Sequence, residues 1–191
     1  MMKSSYRWMR VSCAVAVLMI TSVGWAQNAQ VDAHVQSLAK LLKDEDAKKR
    51  RDAAEDLGEM GPAAAGAVSQ LQAALADKNG TVRHYAAWAL GKIGPEAAPA
   101  GKALASHLTN DMDSGVRHIA AWAIGEINPP ATDVGRALTK GLRDREKMVR
   151  KFSAQALGSL YPPYQLGVKP LVDAIDDKDP EVAHSAIVAL G

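Results

Sequence analysis

The sequence is short of the residues that reactive sites need. It contains one cysteine, Cys13, one phenylalanine, and only 5% aromatic residues among 191. Because Cys13 lies in an N-terminal stretch that we expect to be removed, the mature chain would have neither a disulfide bond nor thiol chemistry. No Gly-rich loop follows a strand to hold a phosphate, and no nucleophile has a base in helical register. We therefore predict a protein that is not an enzyme and that carries no cofactor.

The chain also lacks a strong charge of either sign. It has 23 basic and 21 acidic residues, of which three basic and no acidic ones fall in positions 1–26, so the remainder has 20 and 21. The basic isoelectric point therefore comes from the N-terminal stretch. Nucleic-acid binding through charge requires a basic face. The composition predicts no nucleic-acid partner.

The first 26 residues have the order of features of a secretory signal peptide. Lys3, Arg7 and Arg10 precede an apolar run at positions 11–20, and Gly24 and Ala26 supply small residues where a signal peptidase reads. A membrane anchor is less favoured, because positions 11–26 fall short of the roughly 20 residues that span a bilayer. A lipoprotein is disfavoured because the cysteine begins the apolar run instead of following it. We predict a signal peptide at 1–26, a mature domain at 27–191, a periplasmic or secreted location, and membrane association only through an uncleaved leader.

What the sequence has in abundance is repetition. Glycines recur at spacings of 33, 34, 33 and 33 residues, at Gly58, Gly91, Gly125, Gly158 and Gly191. A fixed period of this length indicates an array of like units. An aspartate stands fourteen residues before each glycine, and an arginine eight before each of the first four, at Asp44, Asp77, Asp111, Asp144, Asp177, Arg50, Arg83, Arg117 and Arg150. The fifth unit has Ala183 in place of the arginine.

Each unit has the pattern of two antiparallel helices. A pair four residues apart, such as Leu71 and Leu75, marks the buried stripe of a first helix. The apolar face of a second helix is marked in the second unit by Val82, Ala86, Ala89, Leu90 and Ile93. Neither helix can bury its stripe alone, so the units must stack. We predict an all-α fold, an α-α superhelix (solenoid) of about five two-helix repeats, at approximately 31–62, 63–95, 96–129, 130–162 and 163–191.

The second unit carries a family resemblance. Its residues fit the pattern D-x-x-x-x-V-R-x-x-A-A-x-A-L-G-x-I-G-P at Asp77, Val82, Arg83, Ala86, Ala87, Ala89, Leu90, Gly91, Ile93, Gly94 and Pro95. The chain thus resembles the HEAT-repeat family, and specifically its phycobilisome-lyase-type HEAT-like branch, over about residues 31–191. The resemblance implies a right-handed superhelix whose second helices line the concave side. It also implies a polar ladder of Asp and Arg along the turns, in which the four arginines are structural and Ala183 is a break.

Metal binding is not predicted. Asp111 and Asp113 lie two residues apart, as in a calcium loop, but the twelfth position counted from Asp111 is Trp122, where a glutamate is required. We interpret such aspartates as helix caps. His84 and His118 share a repeat position, yet no carboxylate lies one helical turn from either, and a tetrahedral site needs three or four ligands.

The candidate binding surface is a stripe on the second helices, at the positions seven and three residues before each glycine. On a helical wheel these positions point away from the Val, Ala and Leu positions of the packed face. Trp88 and Trp122 give the stripe an aromatic patch, and tryptophan is frequent at energetic hot spots. The alternative is that each tryptophan folds over the neighbouring helix and completes the packing. The stripe consists of Arg51, Glu55, His84, Trp88, His118, Trp122, Lys151, Gln155, His184 and Val188.

From these features we expect an exported scaffold that binds a protein or peptide on the concave face of its second helices. Two alternatives remain open. A bilin lyase or lyase subunit is suggested by the name of the branch that the chain resembles, but such lyases act on cytosolic light-harvesting proteins, which the predicted signal peptide argues against. The other alternative is a structural spacer in an envelope complex. Solenoids support many functions through a few surface residues, so the sequence identifies no partner.

Overall fold

The computed structural model describes residues 29–160 and 163–191, and every regular element in those ranges is helical. The predicted signal peptide at 1–26 lies outside the described residues. The helices are α1 (29–41), α2 (Ala47–Met60), α3 (Val68–Ala74), α4 (Gly80–Ile93), α5 (Gly101–Asn110), α6 (Ser114–Ile127), α7 (Ala131–Gly141), α8 (Lys147–Ser159), α9 (Val168–Asp173) and α10 (Pro180–Leu190). Turns of 3-10 helix at Gly61–Ala67, Pro95–Ala100 and Gln165–Gly167 lead into α3, α5 and α9, and Ala174–Asp176 follows α9. The all-α prediction is confirmed. Within the same ranges, no helix has both the length and the apolar character needed to cross a bilayer.

The second helix of most repeats begins at a capping side chain. Asp46, Asn79, Asp113 and Asp179 accept hydrogen bonds from backbone N–H groups in the first turns of α2, α4, α6 and α10. These bonds satisfy donors that a helix start otherwise leaves without a partner. Glu146, at the same position before α8, makes no such bond. The interpretation as a helix cap is therefore confirmed for Asp113, whereas Asp111 accepts hydrogen bonds from Arg83 and from the backbone N–H of Asp113.

Three of the second helices end where the backbone takes a positive φ angle. Gly61 and Gly94 have φ values of 57° and 83°, and Asn128 has 49°. Glycine adopts this region without a steric penalty, and asparagine tolerates it better than most residues. The reversal returns the chain toward the next first helix and makes consecutive helices antiparallel.

The core lies between the layer of first helices and the layer of second helices. Leucines of the first helices, such as Leu71 and Leu104, are fully buried, and so are the second-helix alanines Ala87 and Ala121. The second helices of successive repeats pack against one another along the whole array, whereas contacts between first helices are sparser. Because tighter packing on one side bends an array toward that side, this difference favours curvature toward the second helices.

An arginine–aspartate ladder runs along the turns between repeats. Each arginine donates from Nε and Nη2 to the aspartate of the next repeat, and from Nη1 to carbonyl oxygens of its own turn. The Nε to Oδ2 distances are 2.6, 2.8, 2.8 and 2.7 Å in the pairs Arg50–Asp77, Arg83–Asp111, Arg117–Asp144 and Arg150–Asp177. Such two-point bonds between charged groups are both strong and directional. The ladder that the family resemblance implies is confirmed, and it breaks at Ala183.

Candidate binding face on the second helices

All ten residues of the predicted stripe lie on second helices and keep part of their surface exposed. Gln155, His184 and Val188 are exposed, and the other seven are half-buried. The residues form one face that crosses α2, α4, α6, α8 and α10. Their contacts differ from one repeat to the next.

The centre of this face is a line of neighbouring rings. The ring centroids of His84 and His118 are 5.9 Å apart, edge to face, and those of His118 and Phe152 are 6.0 Å apart at an interplanar angle of 21°. The ring of Tyr85 lies 5.5 Å from that of His84 and 6.2 Å from that of Trp88. We refer to these five residues, Trp88, Tyr85, His84, His118 and Phe152, as the ring strip. The strip connects three successive second helices.

Backbone carbonyls fix the orientation of the two imidazoles. His84 Nδ1 lies 3.1 Å from Gly115 O, and His118 Nδ1 lies 3.2 Å from Ser114 O. Because a carbonyl oxygen can only accept, Nδ1 carries the proton in each neutral ring and Nε2 is an acceptor. Burial lowers the pKa of His118 and so favours its neutral form. At His118 the strip therefore offers a hydrogen-bond acceptor without a positive charge.

The two tryptophans rest on the glycines that mark the repeat. A Cβ atom added at Gly91 would lie 2.5 Å from the ring of Trp122, and one added at Gly58 would overlap the ring of Trp88. Gly58 and Gly91 thus leave the space that the tryptophan of the following repeat occupies. Part of each ring serves packing between repeats, as the alternative interpretation of these residues expects. The remaining surface of each tryptophan ring is exposed. At Trp122 this surface borders a cleft of about 140 Å³ that Phe152 also lines.

The two cations of the stripe, Lys151 and Arg51, form ion pairs within the chain. Lys151 Nζ lies 2.6 Å from Glu181 Oε2, and Arg51 pairs with Asp52. Gln155 donates to Ser185 Oγ over a distance of 3.5 Å. The cations that flank the aromatic residues are therefore neutralised, and the rings dominate the surface chemistry of this face.

Sequence reasoning missed Tyr85 and Phe152. Both stand six residues before the register glycine, directly after the stripe position, and Phe152 is the single phenylalanine of the chain. Aromatic residues at one repeat position were an available signal. A helical wheel, however, puts this position between the packed face and the exposed face. Contacts with His84 and Trp88 of the same helix assign Tyr85 to the strip, and the contact with His118 of the preceding repeat assigns Phe152.

The chemistry of the face suits binding more than catalysis. Within residues 29–160 and 163–191, no group of three His, Cys, Asp or Glu side chains is placed to hold a metal ion. His84 and His118 adjoin each other, but no third ligand accompanies them. The face offers ring surface, an imidazole acceptor and a small cleft. These features can hold an apolar side chain and a hydrogen-bond donor of a ligand.

Known proteins share this fold. The sequence profile of HEAT repeats matches residues 35–101 and 101–191. A search of the curated proteins matched none. Among solved structures, an engineered protein is 28% identical and aligns over 81% of this chain and 77% of its own, with a TM-score of 0.69.

Two further solved structures are less similar in sequence and show the fold alone. A designed armadillo repeat protein in complex with the peptide (KR)4 is 20% identical, over 98% of this chain and 96% of its own, with a TM-score of 0.65. The complex of CpcE and CpcF of phycocyanin lyase from Nostoc sp. PCC7120 is 21% identical, over 83% of this chain and 99% of that chain, with a TM-score of 0.62.

Proposed function

The chain belongs to the HEAT-repeat family, and we propose that it is an exported scaffold that binds a protein or peptide on the concave face of its second helices. The observation that carries this proposal is the ring strip. Its members are half-buried, so they keep exposed ring surface after the repeats have packed. The tighter packing between second helices supports the concave placement of the strip.

A row of rigid rings is suited to anchoring a polypeptide. Aromatic side chains bury a large area on binding and lose little conformational entropy, which is why they are enriched at hot spots. The cleft between Trp122 and Phe152, of about 140 Å³, has room for a small apolar side chain. The imidazole of His118 would accept a hydrogen bond beside it. We therefore expect the partner to present an apolar residue next to a hydrogen-bond donor.

Proteins of the same fold bind polypeptides in two of the solved structures. The designed armadillo repeat protein is in complex with a peptide, and CpcE is in complex with CpcF. Their identities of 20% and 21% make these likenesses an argument about the fold. They support polypeptide binding as the function that this architecture most readily provides.

A second candidate function is that of a lyase subunit, which the likeness to the phycocyanin lyase complex favours. The predicted signal peptide argues against it, since a bilin lyase acts in the cytosol. Mixing the purified protein with bilin decides between the two. We expect no shift of the bilin absorbance band, and a stable shifted band would support the lyase alternative.

The binding proposal is tested by substitutions that remove rings without removing a helix. Peptides are first selected from a random displayed library against the mature chain, residues 27–191. We expect the double variant His84→Ala, His118→Ala to bind the selected peptides roughly tenfold more weakly, as expected when hot-spot contacts worth more than 1 kcal/mol are lost. The matched control is His184→Ala, which changes the same repeat position outside the strip.

The tryptophans are tested separately, because their rings have two roles. If the variant Trp88→Ala, Trp122→Ala melts at the parent temperature and loses the peptides, the exposed ring surface binds. A large drop in melting temperature with peptide binding retained would show that these rings serve packing only. Equal binding by the histidine variant and the parent would overturn the proposal for this face.

The proposal of export rests on the N-terminal sequence and has its own test. We expect cleavage after Ala26, so that the exported protein begins at Gln27. Intact-mass measurement of the protein recovered from the periplasm or medium checks this. An N-terminus at Met1, or a lipid on Cys13, would contradict it.

A further inference from the structure

A groove runs between the first helices of the third and fourth repeats, on the opposite side of the array from the ring strip. Its two halves have volumes of about 530 and 480 Å³ and share Thr109 and Lys140. The first half lies between α5 and α7, and the second continues into the turn that follows α7. Ala105, Ala137 and Gly141 line it, so small residues keep the groove open.

The groove carries a row of four cations. Arg136 and Lys140 are four residues apart and lie on one face of α7, and Arg143 and Arg145 follow in the turn after the helix. All four side chains are exposed. Within the described residues none of the four forms an ion pair, and Lys140 Nζ has only the carbonyl of Thr109 at 3.4 Å. We refer to these four residues as the cation row.

The carboxylates in the groove do not neutralise the cation row, because other groups already occupy them. Asp144 accepts hydrogen bonds from Nε and Nη2 of Arg117. Asp111 takes both donors of Arg83 and a third from His107. Asp133 lies 3.4 Å from Lys102 on the opposite wall. In the part of the chain that the structure describes, the cation row therefore faces the groove without a paired carboxylate.

The row is a property of the fourth repeat and not of the repeat pattern. The equivalent positions of the second repeat hold Ser69, Ala73, Ala76 and Lys78, and those of the fifth hold Lys169, Asp173, Asp176 and Lys178. Like charges three and four residues apart on a helix destabilise it slightly. The first repeat holds Gln36, Lys40, Lys43 and Glu45 at these positions, so all four cations occur together in the fourth repeat only. An arrangement that costs the fold stability and is complete in one repeat only favours a counter-charge from outside the chain.

We propose that this groove binds an acidic segment of a partner polypeptide, independently of the second-helix face. Helix α7, with 11 residues, is about 16 Å long, which matches about five residues of an extended strand at 3.3 Å each. The cations lie along the length of the groove, so alternate carboxylates of such a segment can each meet one.

Two other anionic partners fit less well. A nucleic acid is bound through a basic face that neutralises many phosphates, whereas the chain has nearly as many acidic as basic residues, 21 and 23. A membrane is flat and is usually met by aromatic side chains at the interface. The lining residues of the groove include no aromatic ring. An extended acidic segment that lies between the two helices needs neither a long basic face nor aromatic side chains at an interface.

The test uses a fluorescein-labelled oligoglutamate peptide as the probe, with fluorescence anisotropy at low ionic strength. The groove variant is Arg136→Gln, Lys140→Gln, Arg143→Gln, Arg145→Gln. The matched control is Lys40→Gln, Lys43→Gln, Lys78→Gln, Lys169→Gln, which removes four exposed cations from other repeats. Because all eight side chains are exposed, both variants are expected to keep the parent melting temperature, and the single variant Arg143→Gln provides a milder version.

We expect the groove variant to bind oligoglutamate roughly ten- to hundredfold more weakly than the parent, as four exposed ion pairs allow, and the control to change by less than about threefold. Binding should weaken with added salt. Equal losses in both variants, or no oligoglutamate binding by the parent, would overturn the proposal. The proposal would also be overturned if binding of single-stranded oligothymidylate, or of vesicles of phosphatidylglycerol and phosphatidylcholine, depended on the cation row while binding of oligoglutamate did not.

Discussion

The turn side and the second-helix face of this array are built on different rules. On the turn side, four successive junctions carry the same arginine, the same aspartate and nearly the same distances, 2.6 to 2.8 Å from Nε to Oδ2. On the second-helix face, the position seven residues before the glycine changes from Arg51 to His84, His118, Lys151 and His184. The repeated side links one repeat to the next, whereas the varied side gives each repeat its own surface.

The difference shows how a repeat protein separates stability from recognition. A ladder arginine such as Arg50 makes four hydrogen bonds within the chain from its five N–H donors, which leaves little for a partner. The ring strip leaves ring surface and an imidazole acceptor open. Substitutions on the two sides should therefore have different consequences, in stability for the ladder and in binding for the strip.

The largest effect on stability is expected when one arginine–aspartate pair of the ladder is removed. Arg117 is 6% exposed and bridges Asp144 to the carbonyls of Asp111 and Met112. We expect Arg117→Met to lower the free energy of unfolding by about 2–3 kcal/mol, less than for a fully buried pair because Asp144 keeps some exposure. Urea denaturation measures it. Arg143→Met, an exposed arginine without an ion pair, is the control and should change stability by less than about 0.5 kcal/mol; equal losses would contradict the structural role of the ladder.

The next effect concerns the packing beneath the second-helix face. Ala87 and Ala121 are fully buried where successive second helices approach. Replacing either by Leu should destabilise the protein by about 1–3 kcal/mol, because added methyl groups force the helices apart. Thermal melting detects the change. Ala73→Leu adds the same volume at an exposed position of α3, and a loss as large as that of Ala121→Leu would refute the helical phasing.

A smaller effect distinguishes a glycine that seats a tryptophan from one that does not. Helix propensity alone predicts that Gly→Ala stabilises a helix by up to about 1 kcal/mol. At Gly91 a Cβ would lie 2.5 Å from the Trp122 ring, whereas at Gly125 its nearest neighbour, in Ala156, would be 3.4 Å away. We therefore expect Gly91→Ala to destabilise by about 1 kcal/mol through overpacking. Gly125→Ala should be neutral or stabilising. Melting curves measured side by side give the two changes in melting temperature. Changes of the same sign in both variants would show that the contact with Trp122 does not determine the effect.

The most gradual effect is the loss of stability with falling pH. Burial alone would raise the pKa of Asp111, but hydrogen bonds from Arg83, the Asp113 backbone and His107 outweigh it and lower the pKa to about 2. An unfolded aspartate titrates near about 3.9. The stability from this group is therefore complete above that value and is lost as the pH falls toward 2, where the unfolded chain has bound a proton that the folded chain has not.

The pKa values of the other ladder aspartates Asp77, Asp144 and Asp177 are also lowered. We therefore expect the free energy of unfolding to fall between about pH 4 and pH 2. Urea titrations across this range give the slope. Arg83→Met removes one cause of the shift and should make the slope shallower. An unchanged slope in that variant would show that the rung does not set the acid sensitivity.

The candidate site could be predicted only in part. The stripe positions follow from the register, and their half-exposed state agrees with a helical wheel. The ring strip does not follow, because it joins His118 to Phe152, which stands at a different position of the repeat. The cation row was hidden by the near-zero net charge of the chain, since an average over 165 residues conceals four like charges in one repeat.

The period, the two helices of each unit, their caps and the ladder positions were determined by the sequence alone. All of these depend on local signals or on exact repetition, and both are readable along the chain. Tertiary structure alone decided which side chains of neighbouring repeats meet: Trp122 with Gly91, His84 with His118, and Lys102 with Asp133. The physical reason is that such contacts depend on the angle and distance between stacked helices, which result from the packing of all the side chains between them.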